Sequence, residues 1–296
     1  MTRLLCLRIK APNLVVLELT SLIEEEVSPP KRLELFPGML VERKEWFAVG
    51  GAPWRAISND LQQISKPFRT RFPVASTDGD FVWVRDKIED YYCEIDPMAG
   101  VQGRRLQAAG PLATLVGETH SGLIEITPAD SRWVCQLTDL DGGQLDTFPL
   151  GTGTERRGVA AVSLDDAGTR VTYLNMDSLA VATVNAPKGY RWVYLYGIGV
   201  DPRGGLLLGS VSKDDPHNPG PDAGLAVAHV GDRVAEIISS LPASDASPPV
   251  WRPDGERAFF VVPSAQTMYE FDITLMTVTS VVERTRLTPI RYLANE

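Results

Sequence analysis

Three observations in the 296-residue sequence predict its fold class. Helical periodicity is nearly absent, while short runs rich in Val, Leu, Tyr, Phe and Trp alternate with clusters of Gly, Pro, Asp and Asn, which is the signature of strands and turns. One unit recurs: small or apolar residues, a polar turn in which Gly follows Asp closely, then a strongly apolar strand. It is read in FPVASTDGDFVWVRD (72–86), GVAAVSLDDAGTRVTYLN (158–175), YGIGVDPRGGLLLGSV (196–211) and SPPVWRPDGERAFFVV (247–262), with LATLVGETHSGLIEIT (112–127) as a copy lacking the Asp. The turn glycines Gly79, Gly122, Gly168, Gly205 and Gly255 lie 37 to 50 residues apart, the period of a four-stranded propeller blade. The expectation is an all-β chain folded as one β-propeller domain over residues 1–296.

Lettering strands a to d from the axis outward places six blades at 37–70, 72–107, 112–150, 159–195, 198–239 and 248–285. Four strand-like runs are left over: Arg3–Ile9, Leu14–Leu22, Lys31–Leu35 and, in the tail, Leu287–Leu293 (LTPIRYL). Three plus one makes a seventh blade closed from both ends of the chain, with Leu287–Leu293 as its innermost strand. Such closure leaves no free sheet edge between the chain ends. A six-bladed ring with the first 30 residues as an appendage is the alternative. The best helix candidate is Trp54–Ser65. In the repeated turn, Asp accepts a bond from the turn's own backbone and Gly supplies a positive φ. Asp78, Asp165, Asp201 and Asp254 are therefore expected to form turns rather than to act as catalytic acids.

PPVWRPDGERAFFVV resembles the PD40 repeat of TolB-type β-propellers, approximately P-x-W-S-P-D-G-x-x-I-A-F, with Arg252 where the pattern has Ser. AVSLDDAGTRVTYL is a looser match. YYCEIDPMAGVQGRRL (Tyr91–Leu106) resembles the outer part of a blade in YncE-like and WD40-like propellers. The resemblance implies the propeller fold and leaves function open, because such propellers include binding platforms, protease-associated domains and enzymes.

With 44% hydrophobic and 23% charged residues the composition is that of a globular protein. A net charge of −9 argues against nucleic acid as the partner, since phosphate-binding surfaces are basic. No apolar run approaches the roughly 18 residues of a membrane span, and the N-terminus lacks the apolar core and cleavage site of a signal peptide. Cys6, Cys93 and Cys135 are far apart and odd in number, which suggests buried free thiols and a reducing, cytoplasmic setting. Trp46, Trp83, Trp133, Trp192 and Trp251 fall in strands and read as packing between blades.

Function is expected on the irregular b–c and d–a loops, which repeat no common chemistry. SKDDPHNPGPDAG (212–224) gathers Asp214, Asp215, His217, Asn218 and Asp222; its oxygen-rich set suits a cation, and its prolines and glycines equally suit an exposed loop. GTGTERRG (151–158) offers Arg156 and Arg157 to an anion. Glu118 and His120 make a possible proton-transfer pair at the opposite, hairpin face, and His229 reads as a strand residue. No nucleophile elbow, HExxH, P-loop or paired-Cys motif is present. Two classes follow. The first is a non-catalytic propeller binding a protein partner or a small polar or anionic molecule through Arg156, Arg157, Asp177, Asp214, His217 and Asn218, with no cofactor. The second is a propeller enzyme. Six-bladed lactonases hold a metal at the channel mouth by Glu, Asn and Asp from different blades, and in an enzyme of that kind Glu155, Asn175, Asp177 and Asp214 are the candidates for a divalent cation. An enzyme of the strictosidine-synthase-like kind would instead use a carboxylate for acid–base work.

Overall fold

The computed structural model describes residues 2–8, 13–27, 40–50, 53–70, 73–86, 90–129, 132–150, 153–157, 159–193, 198–213, 223–239 and 245–293. Over these residues the protein is all-β. In chain order the strands are β1 (Arg3–Arg8), β2 (Leu14–Glu18), β3 (Ile23–Val27), β4 (Leu40–Glu42), β5 (Trp46–Gly50), β6 (Trp54–Ser58), β7 (Val74–Ala75), β8 (Val82–Asp86), β9 (Tyr91–Asp96) and β10 (Val101–Gln107). They continue as β11 (Thr114–Thr119), β12 (Gly122–Ala129), β13 (Arg132–Thr138), β14 (Gln144–Phe148), β15 (Glu155–Arg157), β16 (Ala160–Leu164), β17 (Arg170–Asn175), β18 (Val181–Asn185), β19 (Arg191–Trp192) and β20 (Gly199–Val200). The last are β21 (Leu206–Ser212), β22 (Ala223–His229), β23 (Glu236–Ser239), β24 (Val250–Trp251), β25 (Arg257–Val262), β26 (Thr267–Asp272), β27 (Thr277–Val282) and β28 (Leu287–Leu293).

These strands form seven antiparallel sheets, and the fold is a seven-bladed β-propeller. The chain divides into two compact units: Met1–Ser28, Glu155–Asn175 and Ala180–Glu296 in one, Pro29–Thr154 with Met176–Leu179 in the other.

The first unit holds four sheets. One has the order β28-β1-β2-β3 and joins the two ends of the chain. β28 takes the first position of that sheet, pairing from Arg3↔Leu293 to Arg8↔Leu287 across one bulge. Leu14–Leu22 is not one strand, because a turn at Leu22 (φ 57°) folds it back, and the third strand is Ile23–Val27. Lys31–Leu35, expected in that place, lies outside the described residues. Leu4, Cys6, Val15 and Leu17 pack with Phe259, Met268 and Leu287. The sheet β15-β16-β17-β18 begins at Glu155, four residues before the expected blade, so the Asp165 turn joins its second and third strands rather than its first two. β19 and β20 pair with the same edge of β21 through Trp192↔Val211 and Val200↔Leu207, so they are two pieces of one first strand. β21 is buried throughout, which accounts for its unbroken run LLLGSVS.

The second unit holds β4-β5-β6, β7 to β10 and β11 to β14. The expected helix at Trp54–Ser65 does not form. Trp54–Ser58 is β6, and Asp60 ends it by accepting the Gln62 N–H (3.0 Å) and the Ser58 hydroxyl (2.5 Å). The chain then returns along β6 through two bridges, Ile57↔Ile64 and Trp54↔Phe68, which stand for a fourth strand. Trp46, Trp54, Ala48, Ala56 and Val82 form one core cluster, and Val74, Trp83, Tyr92, Leu115 and Leu123 another. Trp133, expected in packing, is 38% exposed although it shares its side of β13 with the buried Cys135 and Leu137, because it stands near the start of the strand.

Candidate functional site

The turn aspartates are consumed by their turns. Asp201 is buried and accepts the N–H groups of Arg203 (3.2 Å), Gly205 (2.6 Å) and Leu206 (2.6 Å). Asp165 accepts those of Thr169 (2.7 Å) and Arg170 (3.0 Å), and Asp254 accepts that of Glu256 (3.0 Å). At the Asp78 turn the acceptor is instead Ser76 Oγ, which takes the Asp78 N–H at 2.9 Å.

The sequence-predicted site residues are dispersed. Asp214, His217 and Asn218, with Asp215 and Asp222, lie outside the described residues. Glu155, Arg156 and Arg157 form the edge strand β15, paired with β16 from Glu155↔Val162 to Arg157↔Ala160. Alternation along a strand puts Glu155 and Arg157 on one face and Arg156 on the other. Arg157 Nη2 accordingly pairs with Glu155 Oε2. Asn175 donates to Tyr173 Oη (3.3 Å), which donates to the Gly204 carbonyl (2.8 Å), so its amide supports the Asp201 turn. Asp177 is exposed in the turn after β17. Among the described residues no three His, Cys, Asp or Glu side chains are grouped as a metal ion would require. His120 is exposed and no hydrogen bond joins it to Glu118; His229 ends β22 and is exposed.

The densest charged constellation is in the second unit. Two irregularities build it. In β10 a bulge sets Gly103 and Arg104 together opposite Glu94, and in β11 a bulge at Val116 shifts the register ahead of Glu118. Bulges re-aim side chains, and these two turn Arg104 and Glu118 toward Glu94 and Ser76. Gly103 has to lack a side chain, because a Cβ there would lie 2.8 Å from Glu94 Oε2 and 3.0 Å from Glu94 Cβ.

Glu94 receives the Ser76 hydroxyl (2.5 Å), the Arg104 backbone N–H (2.9 Å), Arg104 Nε (2.9 Å) and Arg104 Nη2 (2.5 Å). Glu118 receives the Thr77 N–H (2.7 Å), Trp83 Nε1 (2.8 Å) and Arg104 Nη2 (2.8 Å), with Ser76 Oγ at 3.0 Å. The Arg104 guanidinium also lies 5.1 Å from the Trp83 ring centre. Burial pushes the Glu94 carboxyl up, but the bonds from Arg104 and Ser76 outweigh it and hold Glu94 below the usual carboxylate range. Nearby Arg43 Nη1 donates to the Ser76 carbonyl (2.7 Å), and burial draws its guanidinium down against the pull of Asp80, Glu118, Glu94 and Asp78. Chemically this is a clasp between β7–β10 and β11: Glu94 has two donors on each oxygen, and Glu118 has Thr77 and Trp83 on Oε2 and Arg104 on Oε1, so both carboxylates are committed to the fold.

Sequence reading singled out Glu118 for a different role and missed Ser76, Glu94 and Arg104. The signal was in YYCEID, where Glu94 shares a face with Tyr92 in a buried strand, and in Gly103, a glycine inside a strand, which marks bulges and close approaches.

No protein-family model matches the chain, and no curated protein sequence does. Solved structures share the fold. A candidate 6-phosphogluconolactonase from Bacteroides uniformis is 11% identical, with 98% of this chain and 99% of that one covered and a TM-score of 0.59. Apo AztD from Citrobacter koseri is 12% identical over 98% of this chain and 96% of that one, with a TM-score of 0.58. Kluyveromyces lactis Hsv2 is 11% identical over 77% and 71%, with a TM-score of 0.51.

Proposed function

We propose that this chain is a cytoplasmic binding propeller of the TolB/PD40-like kind that takes a small polar or anionic molecule on its irregular loops. A protein loop of like charge is the other occupant of that face; nucleic acid and membrane are not partners. The observation that carries the reading is the commitment of Glu94, Glu118 and Asp201: three of the four carboxylates buried among the described residues are spent on clasps and turns. Their lone pairs serve the fold, so recognition is left to residues the repeat does not need, among them Arg156, Arg157, Asp177 and the 212–224 loop with Asp214, His217 and Asn218. The acidic balance supports a ligand held by a few placed arginines over a long phosphate backbone.

The test is a thermal-shift and calorimetric titration of the full chain with inorganic phosphate, citrate and 6-phosphogluconate. Saturating binding at a hundredfold excess over Kd stabilises by about 2.7 kcal/mol, a rise in Tm of roughly 5–10 °C. Arg156→Ala should abolish the rise, and the Tm of the unliganded variant separates lost binding from lost stability, since Arg156 is half-buried on β15. A rise that survives in Arg156→Ala, Arg157→Ala and His217→Ala alike overturns this placement. Divalent-cation-dependent opening of 6-phosphogluconolactone would favour the enzyme reading instead, with Glu155, Asn175, Asp177 and Asp214 as the cation's candidate ligands.

A further inference from the structure

The second unit buries a third glutamate in a different setting. Glu125, on β12, is 1% exposed and receives one N–H, from Ala109 at 3.1 Å. Tyr92 on β9 is equally buried and its phenol faces the carboxyl without making a well-aligned hydrogen bond. Thr138 on β13 borders the carboxyl. The charge that faces it is Arg85 on β8, and that guanidinium is committed elsewhere: Nη2 donates to Asp90 Oδ1 (3.1 Å) and to the carbonyls of Gly110 (2.8 Å) and Pro111 (2.8 Å). Tyr92 and Arg85 are thus the titratable or charged groups that face Glu125 from the elements packed on it.

An ionised carboxylate taken out of water needs donors for its lone pairs or an adjacent cation; lacking them, it keeps its proton. Glu94 has four donors and is closed by an arginine. Glu125 has one N–H donor with the Tyr92 and Thr138 hydroxyls beside it, and the cation that faces it gives its Nη2 to other groups. We infer that Glu125 is a proton-binding site: the folded protein carries it as the neutral acid at pH values where Glu94 is ionised, and its deprotonation loosens the joint between β9 and β12. Burial raises the Glu125 carboxyl above its ordinary range, and the Ala109 N–H, Tyr92, Thr138 and Arg85 oppose that without cancelling it. Burial likewise raises the Tyr92 phenol, so Tyr92 stays neutral and supplies no charge.

For an acid raised on folding, the unfolded chain releases the proton first. Stability therefore falls as pH rises from the unfolded value toward the folded one, and levels off above it. Glu125→Gln keeps the acceptor for Ala109 and removes the titration. Melting of the full chain from about pH 4 to about pH 8 should show Glu125→Gln gaining on wild type as pH rises. The gain should be about 2–4 °C for each unit by which folding raises the carboxyl. Infrared spectra of the wild type across the same pH series should show a protonated-carboxyl stretch that persists above the range in which the exposed carboxyls ionise, which reports on Glu125 even if the variant does not fold. A gap that stays constant with pH, or a wild-type spectrum without that stretch, overturns the inference.

Discussion

Replacing Arg104 by Met tests whether the clasp is held by charge. The substitution keeps most of the aliphatic stem and removes the guanidinium. Two carboxylates whose side chains are 1% and 2% exposed then lose their cation. Removing one partner of a buried ion pair costs about 3–5 kcal/mol. The Arg104 side chain is itself 33% exposed, so water screens part of the interaction and the lower end, about 3 kcal/mol, is expected. For a chain of this size that is a fall in Tm of roughly 6–12 °C at neutral pH. The pH dependence is distinctive. In the wild type the depressed Glu94 contributes stability above its unfolded value of 4.5 and loses it as pH falls through the folded value. Arg104→Met lacks that contribution, so its deficit should narrow on acidification. Adding Glu94→Gln and Glu118→Gln should recover part of the loss at neutral pH, because no buried charge is then left alone. Circular-dichroism melts at about pH 4 and about pH 7 measure all of this. A variant that melts within about 2 °C of wild type at neutral pH, or a deficit that does not change with pH, refutes the argument.

Two further outcomes bear on the architecture. Removing residues 287–296 takes away β28, which pairs with β1 along its length and buries Leu287 and Thr288; calorimetry should find a fall in Tm of more than about 10 °C or loss of the cooperative transition, and an unchanged melt would contradict the joining of the two chain ends. Gly255 has φ +73°, so Gly255→Val should shift the urea midpoint further than Asp254→Ala, which loses one backbone bond worth about 1 kcal/mol and an ion pair to Arg252; equal midpoints would contradict the turn.

The propeller was legible because its turns repeat. Asp and Gly recur where the backbone needs an acceptor and a positive φ, and that requirement is local. The three-plus-one count of terminal strands was legible for the same reason. The exact third strand was not: IEEEV has three charged residues and no alternation, and it forms because β2 and a turn at Leu22 present it with a partner. The Trp54–Ser65 helix was misread because LQQIS follows WRAIS with a helix-like spacing, and the local signal for a turn, Ser58-Asn59-Asp60, is short. The clasp was hidden for a different reason. Its members lie in the turn after β7 and on β8, β9, β10 and β11, and what brings them together is two bulges, which shift side chains by one position and leave only an interior glycine as a trace.

Geometry also sharpens the proposed arginine site. Arg156 and Arg157 are adjacent in sequence, which invites a picture of two guanidinium groups closing on one anion. A strand does not permit this without distortion, since neighbours point to opposite faces. Arg157 shares its face with Glu155 and pairs with it, so its charge is partly spent before any ligand arrives. An anion seated on β15 therefore meets one arginine, and the two single substitutions should differ. The larger loss of phosphate binding marks the face on which the anion sits. Glu155→Gln, which releases Arg157, should strengthen binding if the anion sits on the Arg157 face and leave it unchanged if it sits on the Arg156 face. Calorimetric titration of the three variants with inorganic phosphate decides the face. Equal tenfold losses from both arginine substitutions, about 1.4 kcal/mol each, would mean that both guanidinium groups reach one ligand and that β15 does not hold its strand geometry in the bound state.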